Sequence, residues 1–158
     1  MNRRHLLLAG ASAWLLAPSA VSAQAEADPL ATLDSAQRRA VKAFLARHST
    51  PREGGAQPTQ VLLADMDGDG HAELVLLWIF LGPTFAHSHV AVFTSSAAGW
   101  RDRAHADVLG QAQGMSIKGN EIRIASLTLG PNDGRCCPSV KAIQRLRWSA
   151  GKITSQRR

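Results

Sequence analysis

The sequence predicts an α+β domain in which one N-terminal amphipathic helix packs on a mainly antiparallel β-sheet built of hairpins. Residues 33–48 carry apolar side chains at helical spacing, and short apolar runs separated by turn residues follow them. A third observation places the helix. Residues 74–81 are apolar at every position, so this strand needs cover on both faces of its sheet. The helix is the natural cover for one face.

The first 23 residues are predicted to be a cleaved signal peptide. Arg3 and Arg4 give a basic start, residues 6–16 form a short apolar stretch, and Ala23 ends a small-residue cleavage site. The apolar stretch is about half of what a membrane span requires, so no permanent membrane anchor is expected. The arginine pair fits both a general secretory signal and a twin-arginine signal for export after folding. Both routes lead to a periplasmic or secreted protein.

The rest of the chain has the length and charge of one soluble domain. Residues 24–31 are predicted to be a flexible leader, and residues 32–158 a single α+β domain. The formal net charge of the full chain is +6. Loss of Arg3 and Arg4 with the signal leaves +4, because all twelve acidic residues lie beyond it. The expected partner is a cell-envelope protein or an anionic surface.

Each element has its own signal. In the helix, Val41, Phe44 and Leu45 fall on one stripe, and Thr32 or Asp34 can cap its start. The Pro and Gly residues of the segment 49–55 end the helix in a loop. Strands are predicted at residues 61–64, 73–81, 90–94, 115–118, 121–129, 140–148 and 153–155, with a further strand starting at 100–101 and turns at 98–99, 119–120 and 150–151.

A weak internal repeat suggests two related β units. Residues 73–83 align with residues 121–131 at an offset of 48 positions, and both segments end in Leu-Gly-Pro. The alignment is compatible with two origins. One is an old duplication, and the second is the coincidence of two hairpins with similar turn residues.

The segment between the first two predicted strands is rich in carboxylates. Acidic residues alternate through Asp65, Asp67 and Asp69, and a fourth follows at Glu73. Ca²⁺ takes about 6–8 oxygen ligands from carboxylates, backbone carbonyls and water. Carboxylates gathered in one loop repel each other, and a bound cation relieves that repulsion. The loop is therefore a candidate calcium site.

The motif Asp-x-Asp-x-Asp-Gly-x-x-Glu between two strands resembles the calcium-binding hairpins of FG-GAP and VCBS repeats, and the resemblance covers residues 61–78. These families have Asp where this chain has Glu, and a propeller requires several blades. The resemblance thus implies the loop and not the propeller. It implies the following metal ligands: side-chain oxygens of Asp65, Asp67 and Asp69, the backbone carbonyl of His71, and the closing carboxylate of Glu73.

Three alternatives to a calcium-binding β-hairpin fit this loop less well. An EF-hand is excluded because its twelfth position is Leu76 rather than Glu, and because strands flank the loop. A simple Asp/Gly turn that binds nothing is the structural alternative. Mg²⁺ suits the loop less than Ca²⁺, since it keeps most of its water ligands.

Cys136 and Cys137 are adjacent and are the only cysteines. Neighbouring Cα atoms lie about 3.8 Å apart, below the usual disulfide range of roughly 4.4–6.8 Å. Their disulfide would be strained, yet it is the only one that can form within the chain. A redox or soft-metal site is the functional interpretation, and a rigid turn or two buried thiols the structural one, which the lack of a C-x-x-C spacing favours. The Cys-Cys-Pro-Ser turn resembles one in some small exported bacterial proteins, which implies no activity.

Two further patterns complete the candidates. His87 and His89 share a face of a strand, where they could hold Cu or Zn together with a soft ligand, or simply form polar surface. Lys141, Arg145 and Arg147 form a basic stripe on another strand. Nucleic acid is not expected as its partner, because the chain has no Tyr and no known nucleic-acid-binding module.

No catalytic residue is predicted. The chain has no Gly-x-Ser-x-Gly elbow, no phosphate-binding glycine loop and no His-Glu-x-x-His. The predicted function is an exported, non-catalytic binding or interaction module with a structural Ca²⁺ site in a β-hairpin loop. The alternative is a small periplasmic redox or metal-dependent enzyme that uses Cys136 and Cys137, or His87 and His89.

Overall fold

The computed structural model describes residues 28–50 and 52–156. The predicted signal peptide and residues 24–27 of the predicted leader lie outside the described residues. Within them, the strands form two four-stranded antiparallel sheets and one helix precedes them, which confirms the α+β class. The elements are α1 (Ser35–Arg47), β1 (Gly55–Ala64), β2 (Glu73–Leu81), β3 (Ala86–Thr94), β4 (Arg101–Asp107), β5 (Gln111–Lys118), β6 (Glu121–Thr128), β7 (Val140–Ser149) and β8 (Lys152–Ser155).

Helix α1 starts at a capping box, in which two side chains accept hydrogen bonds from backbone N–H groups that are free at the start of the helix. Asp34 accepts hydrogen bonds from the backbone N–H groups of Ala36 and Gln37, both at 2.8 Å. The Gln37 side chain in return accepts from the backbone N–H of Asp34 at 3.0 Å. Leu30, in the segment predicted as a leader, is buried in the same cluster as the helix residue Phe44. None of the described helical segments is long and apolar enough to cross a membrane.

Strand β2 lies inside the first sheet, whose order is β1-β2-β3-β4. On one face, Leu74 and Trp78 pack in a cluster with α1. On the other face, Val75 and Leu77 pack against the second sheet. This strand is therefore covered on both sides, as its continuous apolar run predicts. The described residues form three layers: helix, first sheet and second sheet.

The sequence predicted one sheet, whereas the strands divide between two. The second sheet has the order β5-β6-β7-β8. Its apolar residues alternate along each strand, so that Ile122, Ile124, Leu146 and Trp148 all face the first sheet. The second sheet buries its apolar face against the first sheet. It thereby covers the face of β2 that the helix does not contact.

The internal repeat corresponds to a structural equivalence between the two sheets. Both are meanders of four consecutive strands, and β2 and β6 are their second strands. The register of β1 shifts between Pro58 and Gln60, opposite residues 77–78 of β2. The register of β5 shifts between Ala112 and Gly114, opposite residues 125–126 of β6. These opposing positions differ by the same 48 residues as the sequence repeat.

Candidate metal centre

The acidic loop connects β1 to β2 at one end of the first sheet. Ala64 and Glu73 pair across the hairpin, so residues 65–72 start and finish at neighbouring points. Gly68 and Gly70 adopt φ of 81° and 85°, the left-handed conformation that a glycine allows at no steric cost. The loop therefore turns back on itself, and its carboxylates lie close to the end of the hairpin.

Three carboxylates converge. One oxygen from each of Asp65, Asp67 and Glu73 lies within 4.8 Å of the other two. Oxygens that ligate one calcium ion at roughly 2.3–2.6 Å lie no farther apart than about 5 Å. The three residues thus form a group that can hold a metal ion.

Backbone N–H groups position these carboxylates. Asp65 accepts from Gly68 at 2.7 Å and from Gly70 at 3.0 Å, with one carboxylate oxygen for each. Glu73 accepts from the backbone N–H of Met66 at 2.7 Å through its Oε2 atom. The loop backbone is therefore ordered around its own acidic groups.

Glu73 differs from the other two acids in burial. Its exposed fraction is only 3%, whereas Asp65 and Asp67 are exposed. Burial raises the pKa of Glu73, and the negative charges of Asp67 and Asp69 raise it further. The hydrogen bond from Met66 acts in the opposite direction. A cation at this point would stabilise the ionised form of Glu73.

Asp69 and His71 lie beside the converging group. The Oδ1 atom of Asp69 accepts from the backbone N–H of His71 at 2.7 Å, which fixes the last turn of the loop. Among the described residues, the structure brings together three of the four predicted side-chain ligands, without Asp69. The roles of Asp69 and of the His71 carbonyl stay predictions.

A pocket of about 230 Å³ opens beside the loop, where the two sheets meet. The acidic loop forms one wall. The other lining residues come from the end of β3, from β4, and from the end of β7 with the β7–β8 turn, and sequence reasoning missed them. They lie far from the acidic loop in sequence, so no local pattern links them to it. The missed residues are Thr94, Ser95, Arg103, Trp148 and Gly151.

The second candidate metal site is the histidine pair of β3, His87 and His89. His89 stacks on Trp78 with ring centroids 4.3 Å apart, and its Nδ1 atom lies 3.0 Å from a carboxylate oxygen of Asp107. Burial lowers the pKa of His89, and the hydrogen bond to Asp107 partly opposes this. In the described part of the chain, neither His87 nor His89 belongs to a group of three metal-ligating side chains.

Cys136 and Cys137 are exposed free thiols in the loop between β6 and β7. A hydrogen bond with Cys136 raises the pKa of the Cys137 thiol, whereas activated cysteines have a lowered pKa. The loop joins β7 at Val140, while the pocket contacts the other end of that strand. A strand of this length spans about 30 Å. The two features therefore lie at opposite ends of β7, and the disulfide stays a prediction.

Comparison with protein-family models, with curated proteins and with solved structures finds no match to this chain.

Proposed function

We propose that this protein is an exported, non-catalytic binding or interaction module in which Ca²⁺ stabilises the β1–β2 hairpin. The observation that carries the proposal is the convergence of Asp65, Asp67 and Glu73 within 4.8 Å. All the converging atoms are oxygens, which hard cations prefer. Ca²⁺ fits better than Mg²⁺, because it accepts several protein carboxylates in an irregular arrangement.

The position of the site supports a structural role for the ion. Asp65 follows the last residue of β1 and Glu73 is the first residue of β2, so an ion between them joins the ends of two core strands. Met66, next to Asp65, is buried in the cluster between the two sheets. Loss of the ion would leave repelling carboxylates beside this core.

A chelator experiment tests the proposal. The thermal midpoint is measured with EGTA, and then with Ca²⁺ restored in excess. A ligand at 100 times its Kd stabilises the folded state by about 2.7 kcal/mol, so a shift of several degrees is expected. Asp67→Asn keeps the side-chain size and should abolish the shift. Glu53→Gln removes one exposed acidic charge outside the loop and should keep it.

Two further results would refute the proposal or change the ligand set. A midpoint that does not respond to Ca²⁺ in the wild type would reject the calcium site. Asp69→Asn separates the two possible ligand sets. It keeps most of the shift if only the three converging carboxylates bind, and loses it if Asp69 is a ligand, as the family resemblance implies.

For the partner, we propose an anionic surface of the cell envelope. The second sheet turns one face outward, and its charged side chains are almost all basic. Glu121 is the single acidic residue among the described side chains on this face, where it contacts Arg123 and Arg145. We call this surface the basic face. Its cationic residues are Lys118, Arg123, Lys141, Arg145, Arg147 and Lys152.

The enzyme alternative predicts a different result. If the cysteine pair carries a redox activity, Cys137→Ser should remove that activity and leave the calcium-dependent shift unchanged.

A further inference from the structure

Arg103 lies in the pocket because β4 is irregular at this residue. Val92 pairs with Ala104 and Phe93 pairs with Asp102, so Arg103 is the extra residue of a β-bulge. Bulges commonly redirect a side chain next to a functional site. Here the bulged residue lines the pocket that the acidic loop also lines.

The charge of Arg103 is not neutralised by the acids around it. Asp67, Asp69 and Glu73 line the same pocket, yet Arg103 makes no ion pair with any described carboxylate. The acidic oxygens instead converge on each other and on backbone N–H groups. The cationic side chain thus remains available to a ligand.

Trp148 provides a second, independent observation. It lines the pocket and is 2% exposed, and its indole Nε1–H has no acceptor within the described residues. A buried donor without a partner is costly, and such groups are rare in folded proteins. The hydroxyl-bearing residues Thr94 and Ser95 line the same pocket. The pocket therefore brings the guanidinium of Arg103 and two hydroxyl groups together with the acidic loop, and the buried Trp148 in its lining has an unpaired indole N–H.

The complementary ligand carries acceptor oxygens. A calcium ion held by three carboxylates has ligand positions left over from its usual 6–8. Arginine binds carboxylate and phosphate groups through two parallel hydrogen bonds. The volume of about 230 Å³ is smaller than that of pockets for drug-sized molecules. The pocket suits one oxyanion group with few further atoms.

We infer that this pocket binds a small carboxylate- or phosphate-bearing solute, whose oxygens reach both the loop metal and the guanidinium of Arg103. This inference rests on the proposed calcium site and assigns its ligand class. The ion then has two roles, joining β1 to β2 and presenting a binding position to the solute. By linkage, the solute and the ion strengthen each other's binding.

Titration calorimetry on the calcium-saturated protein tests the inference. The probes are succinate and methyl phosphate, which distinguish a carboxylate ligand from a phosphate ligand, and methyl α-glucoside is the neutral control. We expect one of the two anions to bind, and to bind at least tenfold more weakly when EGTA removes the ion. Arg103→Gln should weaken the binding about tenfold or more, since a hydrogen bond to a charged group is lost.

A matched variant and a second readout make the test specific. Arg101→Gln removes the same charge from the same strand, outside the residues that line the pocket, and should leave anion affinity within about twofold. Both arginine variants should keep the calcium-dependent thermal shift. A retained shift shows that Arg103→Gln weakens solute binding without disrupting the fold or the calcium site.

The outcomes separate the two proposals. Calcium stabilisation without binding of either anion overturns this inference and leaves the structural calcium site in place. Equal anion binding with and without the ion, or in Arg103→Gln, also overturns it, as does preferential binding of the neutral glucoside. No calcium stabilisation at all rejects the proposed function itself.

Discussion

Gly54 directly precedes β1 and Gly110 directly precedes β5, the first strands of the two sheets. Both glycines have a positive φ, of 142° and 74° respectively. A Cβ at Gly54 would overlap the carbonyl oxygen of Leu81, and a Cβ at Gly110 that of Leu127. Leu81 and Leu127 are in turn the partners of the first residues of β1 and β5. The same backbone requirement therefore recurs at the start of both sheets.

The variant Gly54→Ala should be strongly destabilising, because Ala cannot adopt this φ without strain and its methyl group meets backbone. Strain of this kind costs about 1–3 kcal/mol, and the overlap adds to it. Gly55→Ala is the matched control, since a Cβ there meets nothing within 4 Å. Urea unfolding measures both variants. Equal midpoints for the two would contradict the steric argument.

The candidate site could be predicted from sequence only as far as it is local. Asp65, Asp67 and Glu73 lie within one hairpin, so the spacing of their carboxylates is sufficient to predict the loop. Arg103 and Trp148 come from distant strands and reach the pocket through a bulge and through the packing of the two sheets. Neither the bulge nor the sheet packing leaves a local pattern in the sequence.

The elements with strong local sequence signals show the best agreement between predicted and observed bounds. Strand β2 runs from Glu73 to Leu81 as predicted, and Asp34 is the cap of α1. The first strands of the two sheets begin earlier than predicted, at Gly55 and Gln111. Pro58 and Gly114 are typical strand breakers, but here they lie at the register shifts, where the strand tolerates them.

The loop between β6 and β7 depends on one carboxylate. Asp133 accepts from the backbone N–H groups of Gly130 and Ser139 at 2.7 and 2.8 Å, and from the Ser139 hydroxyl. These hydrogen bonds hold the pKa of Asp133 below its ordinary value of 3.8. Since the folded pKa is lowered, the stabilisation is complete above that ordinary value and disappears as the pH falls through the folded pKa.

We therefore expect the amide chemical shifts of Gly130 and Ser139 to titrate together, with a midpoint below pH 3.8. An NMR titration in acid measures this midpoint. Asp133→Asn should abolish the shared titration and weaken amide protection across the loop at neutral pH. A midpoint at the ordinary carboxyl value would show that the hydrogen bonds do not persist in solution.

For the whole molecule, the three layers leave the two outer surfaces with different characters. The helix covers one face of the first sheet, and the residues buried between helix and sheet form an apolar cluster. The second sheet has its outward face uncovered by any described element, and this is the basic face. Ile143 lies there with an exposed fraction of 66%. Basic charge around an exposed apolar residue suits the surface of a bilayer that contains anionic lipids.

The basic face should bind vesicles of phosphatidylcholine with about one third phosphatidylglycerol, and binding should weaken as salt is added. Each basic residue at such a surface contributes about 1 kcal/mol, so Lys141→Gln with Arg147→Gln should weaken binding about thirtyfold. Arg39→Gln with Lys42→Gln removes the same charge from exposed helix positions and should have little effect. Vesicle sedimentation measures all four proteins: the wild type, each double variant and the two combined. Equal losses of vesicle binding in both double variants would mean that net charge, and not the basic face, drives the binding. If the wild type does not bind at low salt, the bilayer is rejected as the partner.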